Sequence, residues 1–303
     1  MTVTRHGWIL ALAFGGALLG LGGAFASTPA PRDLQADYDA LVAVQTRAID
    51  RSEAERAATI AASYRERFGT LSAAELDALP DASLDLLFRA AEIPVGYTLD
   101  PYYAEQMSAA YERLAARSRV EPRHRRSMFE AWVMVRRFAA ARRIADAAPD
   151  AGHLPLLQAT PVPSGTAALW APGEGADTLT RRPADLTQPR IVVVSHPLCG
   201  FSQNAARQIA ADPELGPRFA KQSLWLLPQT ATLDVDQVRA WQNAHAPYRM
   251  AYVDLQRDWP GMDEWGTPTF YFFKDGRVVH KVVGWPADGR KADLLEGLAR
   301  IGG

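Results

Sequence analysis

Cysteine is the scarcest chemical resource here: Cys199 is the only one in 303 residues. A disulfide within the chain is thereby excluded. The thiol is either a small buried hydrophobe or a group kept free for chemistry with another molecule. Histidine offers little more. His6, His124, His153, His196, His245 and His280 show no metal-ligand spacing with one another or with Cys199, so no metal site is expected. There is no Gly-rich phosphate loop and no Gly-x-Ser-x-Gly elbow. Excess charge is also lacking. The 33 basic and 34 acidic residues leave a net −1, which argues against nucleic acid or an acidic membrane surface as partner. Lysine is confined to Lys221, Lys274, Lys281 and Lys291. The arginine groups Arg123–Arg126, Arg136-Arg137 and Arg142-Arg143 read as a solvated helix face interleaved with acids rather than as a binding patch.

One long apolar run is present, Trp8 to Phe25. It follows Arg5 and His6 and closes on Ala24-Phe25-Ala26, an A-x-A cleavage pattern. Residues 1–26 therefore read as a signal peptide, with retention as a membrane anchor the alternative, because the run is close to a marginal span. The expected location is outside the cytoplasm, in a bacterial periplasm. That compartment favours disulfides, which makes an unpaired thiol the more informative.

From 31 to 150 the pattern is helical and rich in Ala, Arg and Glu, with five or six helices expected. Ser72-Ala73-Ala74-Glu75 and Ser127-Met128-Phe129-Glu130 fit capping boxes. Asp100-Pro101 places a capping carboxylate before a proline at the first helical position. Pro80, Pro94 and Gly96 are read as punctuation between helices. Tyr103–Arg119 with Ser127–Ala148 faintly resembles a tetratricopeptide-type hairpin, although no fixed repeat period holds. Residues 151–164 read as a Pro-rich linker, followed by an edge hairpin over Ala167–Trp170 and Thr178–Arg182.

Beyond 165 strand and helix alternate, which predicts an α/β domain with helices on both sheet faces. Ile191–Ser195 reads as a buried strand and Ser202–Ala211 as a helix. Ser223–Leu227 and Arg249–Val253 read as further strands flanking a helix over Val235–His245. Asp275-Gly276 between two β-rich runs is a hairpin signal. A closing amphipathic helix spans about Arg290 to Ile301. Cys199 thus falls where a strand ends and a helix begins, a place where free backbone N–H groups and the helix dipole stabilise a thiolate. Its loop position favours an exposed reactive thiol over a core residue.

The unit strand–Cys199-Gly200-Phe201-Ser202–helix, the later Gly266-Thr267-Pro268-Thr269-Phe270-Tyr271-Phe272-Phe273-Lys274-Asp275-Gly276 stretch and the terminal helix together resemble the thioredoxin superfamily over 165–303. The resemblance implies a thioredoxin-like fold, with Pro268 cis beside the reactive cysteine and Thr267 offering backbone hydrogen bonds to a bound substrate chain. Gly200 and Phe201 would complete the substrate loop. Ser202 stands where the resolving cysteine of the family would be, and Val193 where its buried acid would be. Cys199 and Pro268 are 69 positions apart, which implies an insertion around Asp234–Pro247. Cys-Gly-Phe-Ser also resembles the site of monothiol glutaredoxins, but the Gly-Gly-x-Asp stretch that follows the proline strand in those proteins is missing.

Several roles stay open on the residues alone. Ser202 either points its hydroxyl at the sulfur or merely caps the helix. His196 either supplies a nearby cation or is a polar loop residue, and Trp265 either walls the site or packs in the core. With no second cysteine the expected activity is monothiol disulfide exchange on cysteine-containing protein clients. No cofactor is expected, though glutathione could serve as co-substrate. The rival expectation is a non-catalytic partner-binding protein on a degenerate thioredoxin fold.

Overall fold

The computed structural model describes residues 33–302. The segment read as a signal peptide lies outside them, and among the described residues no helix is long and apolar enough to cross a membrane. Among the described residues the first half holds seven α-helices: α1 (Leu34–Arg47), α2 (Glu53–Phe68), α3 (Ala73–Ala78), α4 (Asp81–Thr98), α5 (Pro101–Ala116), α6 (Pro122–Met134) and α7 (Phe138–Ala147). That is one or two more than the spacing predicts. The Ser72–Glu75 capping box forms, with Glu75 N–H donating to Ser72 Oγ at 3.3 Å. Asp100 caps α5 through the Tyr102 amide at 3.0 Å, with Pro101 at its first position. Two sequence expectations fail. Pro94 and Gly96 do not separate helices but lie inside α4, near its C-terminal end. Pro94 is buried there, and tertiary packing outweighs the lost backbone bond. Ser127 does not cap a helix either, because α6 already starts at Pro122, with Glu121 and His124 closing the box instead.

The second half is a mixed eight-stranded sheet among the described residues. Its strands are β1 (Leu156–Gln158), β2 (Ala168–Pro172), β3 (Thr178–Pro183), β4 (Arg190–Val194), β5 (Ser223–Leu227), β6 (Met250–Val253), β7 (Thr269–Lys274) and β8 (Arg277–Val283), in spatial order β1-β3-β2-β6-β5-β4-β7-β8. Four helices join it: α8 (Gly200–Ala211), α9 (Leu215–Gln222), α10 (Val235–Ala244) and α11 (Lys291–Arg300). β4 runs parallel to β5 and antiparallel to β7, with Val193 opposite both Trp225 and Phe270. Ile191 through Val194 are all fully buried, as an unbroken β-branched run on a central strand requires.

The two faces of the sheet are covered differently. Ile191, Val193, Trp225, Phe270 and Phe272 meet Ala205, Ile209, Phe219, Trp241 and Leu298 of the helices in one cluster. Val192, Val194, Leu226, Tyr271 and Phe273 pack instead with Leu186, Trp259 and Met262. Those three belong to loops, so the expected helices on both faces are found on one face only. Large apolar side chains in the segment between β6 and β7 take the place of the second helical layer.

The helical half and the sheet lie in one compact unit from Leu34 onward. Phe129 and Val133 of α6 and Ala141 of α7 belong to the same apolar cluster as the helix-covered face of the sheet. Arg136, between α6 and α7, donates to the carbonyl oxygens of Val253 at 2.7 Å, Asp254 at 2.9 Å and Thr230 at 3.2 Å. Burial pushes its pKa down to about 10 against the pull of Asp254, so it stays charged at neutral pH.

Candidate functional site

Strand β4 delivers the chain to the site. Ser195 N–H still bonds across the sheet to Leu226 O at 2.8 Å. The chain then turns over His196-Pro197-Leu198, closed by Cys199 N–H donating to His196 O at 3.0 Å. Pro197 cannot donate, but its carbonyl is satisfied by Gln203 Nε2 at 2.7 Å. Cys199 becomes the N-cap of α8, and the first helical bond runs from Gln203 N–H to Cys199 O at 3.0 Å. No side chain caps this helix start. The sulfur therefore lies beside amides that have no intrahelical acceptor.

The opposite wall comes from the start of β7. Thr269 pairs with Val194, so the residues before it face the β4–α8 turn. The Thr267–Pro268 peptide bond is cis. Pro268 O accepts from Gly284 N–H at 2.8 Å, and Thr269 Oγ1 donates to Gly266 O at 2.7 Å. This arrangement brings Thr267 O within 3.5 Å of Cys199 Sγ, and the protonated thiol donates to it.

Burial alone would push the Cys199 pKa up. It is outweighed by hydrogen bonds to the sulfur from the Thr267 and Ser202 hydroxyls and from the Ser202 and Phe201 amides, so the pKa falls below that of an ordinary thiol. The contact with the Thr267 carbonyl favours the neutral form, whereas those hydroxyls and amides favour the thiolate, and the donors are the more numerous group. Ser202 is fully buried, and its Oγ also accepts from His196 N–H at 3.4 Å. A hydroxyl can accept one bond while donating another, so Ser202 ties the turn to the sulfur as well as sitting in the helix start. His196 supplies no cation. Burial lowers its pKa, and its Nδ1 accepts from Leu198 N–H at 3.2 Å, which leaves the proton on Nε2.

The structure thus gathers Cys199, Ser202, Thr267, Pro268 and His196 at one place. Gly200 opens α8 with free space where a Cβ would stand. Phe201 and Leu198, on either side of the thiol, are 62% and 72% exposed. Trp265 stands apart, its side chain packing against the loop-covered sheet face. Its backbone N–H donates to Glu53 Oε2 at 3.0 Å, across from the helical half.

Glu53 has no local sequence signal for this contact. It reaches Trp265 because the Ser52–Glu55 capping box starts α2 there. Glu264, whose Oε1 accepts from Gly266 N–H at 3.1 Å, lies beside it. Burial, then the neighbouring Glu264, raise the Glu53 pKa against the lowering effect of the Trp265 amide. A carboxyl with a raised folded pKa contributes stability at acid pH that is lost as pH rises through that pKa. Glu53→Gln keeps an acceptor for Trp265 and removes the charge. Its melting temperature should therefore vary less than that of the wild type as pH climbs above the ordinary glutamate range. Equal pH slopes in the two proteins would show that this contact does not feel the ionisation.

No group of three or more His, Cys, Asp or Glu side chains placed to hold a metal occurs among the described residues. Comparison with protein-family models, with curated proteins and with solved structures finds no match for this chain.

Proposed function

We propose that this protein is a monothiol thiol–disulfide exchange protein acting through Cys199 on cysteine-containing clients, on a thioredoxin-like arrangement over residues 165–303. The observation that carries the reading is the sulfur at the N-cap of α8, hydrogen-bonded by hydroxyls and amides that favour its thiolate. The order β4–α8–β5 followed by β7–β8–α11, with Thr267-Pro268 against the thiol, supports the same reading. Export through the Arg5–Ala26 segment belongs to this proposal, as do protein clients that meet the exposed Leu198 and Phe201.

The thiolate attacks one sulfur of a disulfide, the S–S bond breaks, and the departing sulfur leaves as a thiolate that takes up a proton. A mixed disulfide to Cys199 remains. Ser202 cannot resolve it, because a hydroxyl without an activating base is a poor nucleophile. Resolution falls to an outside thiol.

The rate of Cys199 alkylation against pH tests the reading. The inflection should lie below the ~8.5 of an unperturbed cysteine. An inflection at or above that value would leave Cys199 a structural residue and favour a partner-binding role for the whole chain.

A further inference from the structure

The arginine pair between α6 and α7 borders a cleft of about 430 Å³ where the helical half meets the edge strands of the sheet. Phe138 at the start of α7, Leu157 of β1 and Trp170 of β2 form its apolar wall, and Arg257 stands on the turn after β6. Phe138 and Trp170 meet edge to face, their ring centroids 5.5 Å apart. Trp170 is pinned there, because its Nε1–H donates to Asp254 Oδ1 at 2.8 Å. None of the residues gathered around Cys199 lines this cleft.

Charge in the cleft is one-sided. Four arginines line it, Arg136, Arg137, Arg181 and Arg257, against the single carboxylate of Asp254. That carboxylate is already occupied: one oxygen accepts from Trp170, and the other accepts from Arg181 Nε–H at 2.8 Å. The guanidinium of Arg136 is held by the carbonyls of Val253, Asp254 and Thr230, which satisfy its N–H groups and leave its charge uncompensated. Arg137 and Arg257 are exposed, and among the described residues neither side chain has an ion-pair or hydrogen-bond partner. The carboxylates that border Arg257 from the neighbouring cavity are engaged elsewhere. Glu53 accepts from the Trp265 amide, Asp100 from the Tyr102 amide and Asp263 from Lys281. Unneutralised positive charge beside an aromatic wall, at a junction of two packed halves, suits an anion that carries an apolar body.

We propose that this cleft binds a small arylalkyl carboxylate, its ring against Phe138 and Leu157 and its carboxylate held by Arg137 and Arg257. A guanidinium meets a carboxylate in a planar fork of two hydrogen bonds, which favours that anion over a bulkier one. The volume sets the size. A cavity of ~150 Å³ takes one benzene ring, so about 430 Å³ has room for a ring, a short chain and a carboxylate with its water. A bare phosphate or sulfate would leave the aromatic wall uncovered. The site stands apart from the thiol chemistry and does not depend on it.

The probe is 3-phenylpropionate, titrated into the full chain at fixed ionic strength and followed by the NMR signal of the Trp170 indole N–H. That signal should shift and saturate. 3-Phenylpropanamide has the same shape without the charge, and should bind about tenfold more weakly. Arg137→Gln and Arg257→Gln change exposed side chains, and each should weaken binding about threefold, as loss of one exposed ion pair does. Arg257→Lys keeps the charge and should lose less. An unmoved Trp170 signal, equal binding of the acid and the amide, or full affinity in both glutamine variants overturns the assignment. So does displacement of the probe by inorganic phosphate at equal concentration, which would make the cleft a site for any small anion.

Discussion

Replacing Ser202 by cysteine is expected to give a chain that closes an internal disulfide with Cys199 and turns over in a disulfide-reduction assay. Ser202 sits in the first turn of α8, three residues after the N-cap sulfur, with its side chain already hydrogen-bonded to that sulfur. Side chains three apart on a helix lie about 5–6 Å from one another at Cβ, and a small rotation brings them to disulfide distance. A thiol so placed attacks a mixed disulfide on Cys199 at an effective concentration of up to about 10⁵ M. Wild type, lacking that step, should accumulate the mixed disulfide until an outside thiol is added. The variant gives up the hydroxyl that accepts from His196 N–H, at a cost of about 1 kcal/mol. Thiol titration and intact mass under mild oxidation decide the matter. Two free thiols with no gain in turnover would show that the groove around Cys199 does not support exchange.

The largest expected loss of stability comes from Arg136→Ala, at about 3 kcal/mol. Its guanidinium serves the carbonyls of Val253, Asp254 and Thr230 at once, and truncation leaves all three short of a donor. Arg136 also has φ +59°, a left-handed conformation whose strain arginine and alanine share, so it adds nothing to this loss. Arg136→Gly loses the same hydrogen bonds but relieves that strain, and should therefore be less destabilised than Arg136→Ala. Arg136→Lys keeps the charge but not the fork, and should recover less than half of the loss. Denaturant unfolding measures all three. A loss below about 1 kcal/mol in Arg136→Ala would show that water replaces the guanidinium without penalty.

The sheet half was the more legible in sequence, for physical reasons visible in particular residues. Asp275 and Gly276 take φ +51° and +73°, the left-handed pair that a two-residue hairpin loop demands and that Asp-Gly announces. β5 falls over Ser223–Leu227 as its apolar run predicts, and β2 and β3 pair antiparallel close to the expected bounds. Leu156–Gln158, inside the stretch that reads as a linker, carry no sequence signal because three residues among prolines show no periodicity; they form β1 only by adding to the edge of β3. The place of Cys199 at a strand-to-helix junction was readable from a β-branched run, a Pro and a Gly. The roles of Ser202, His196 and Trp265 were not, since they depend on which way individual side chains turn in three separate segments. Glu53 was beyond reach altogether, standing 212 positions from the amide it binds.

The apolar cluster that joins α6 and α7 to the sheet bears on how this protein can be divided. Phe129, Val133 and Ala141 sit in the same packed set as Trp170, Leu179 and Tyr252. A fragment begun at residue 165 would keep the thiol, Thr267 and Pro268, yet present the bared half of that set to water. The sheet half is accordingly not a cassette that can be lifted out and grafted elsewhere. Its boundary for expression, fusion or exchange between proteins runs before α1, not through the proline-rich stretch that looks like a seam.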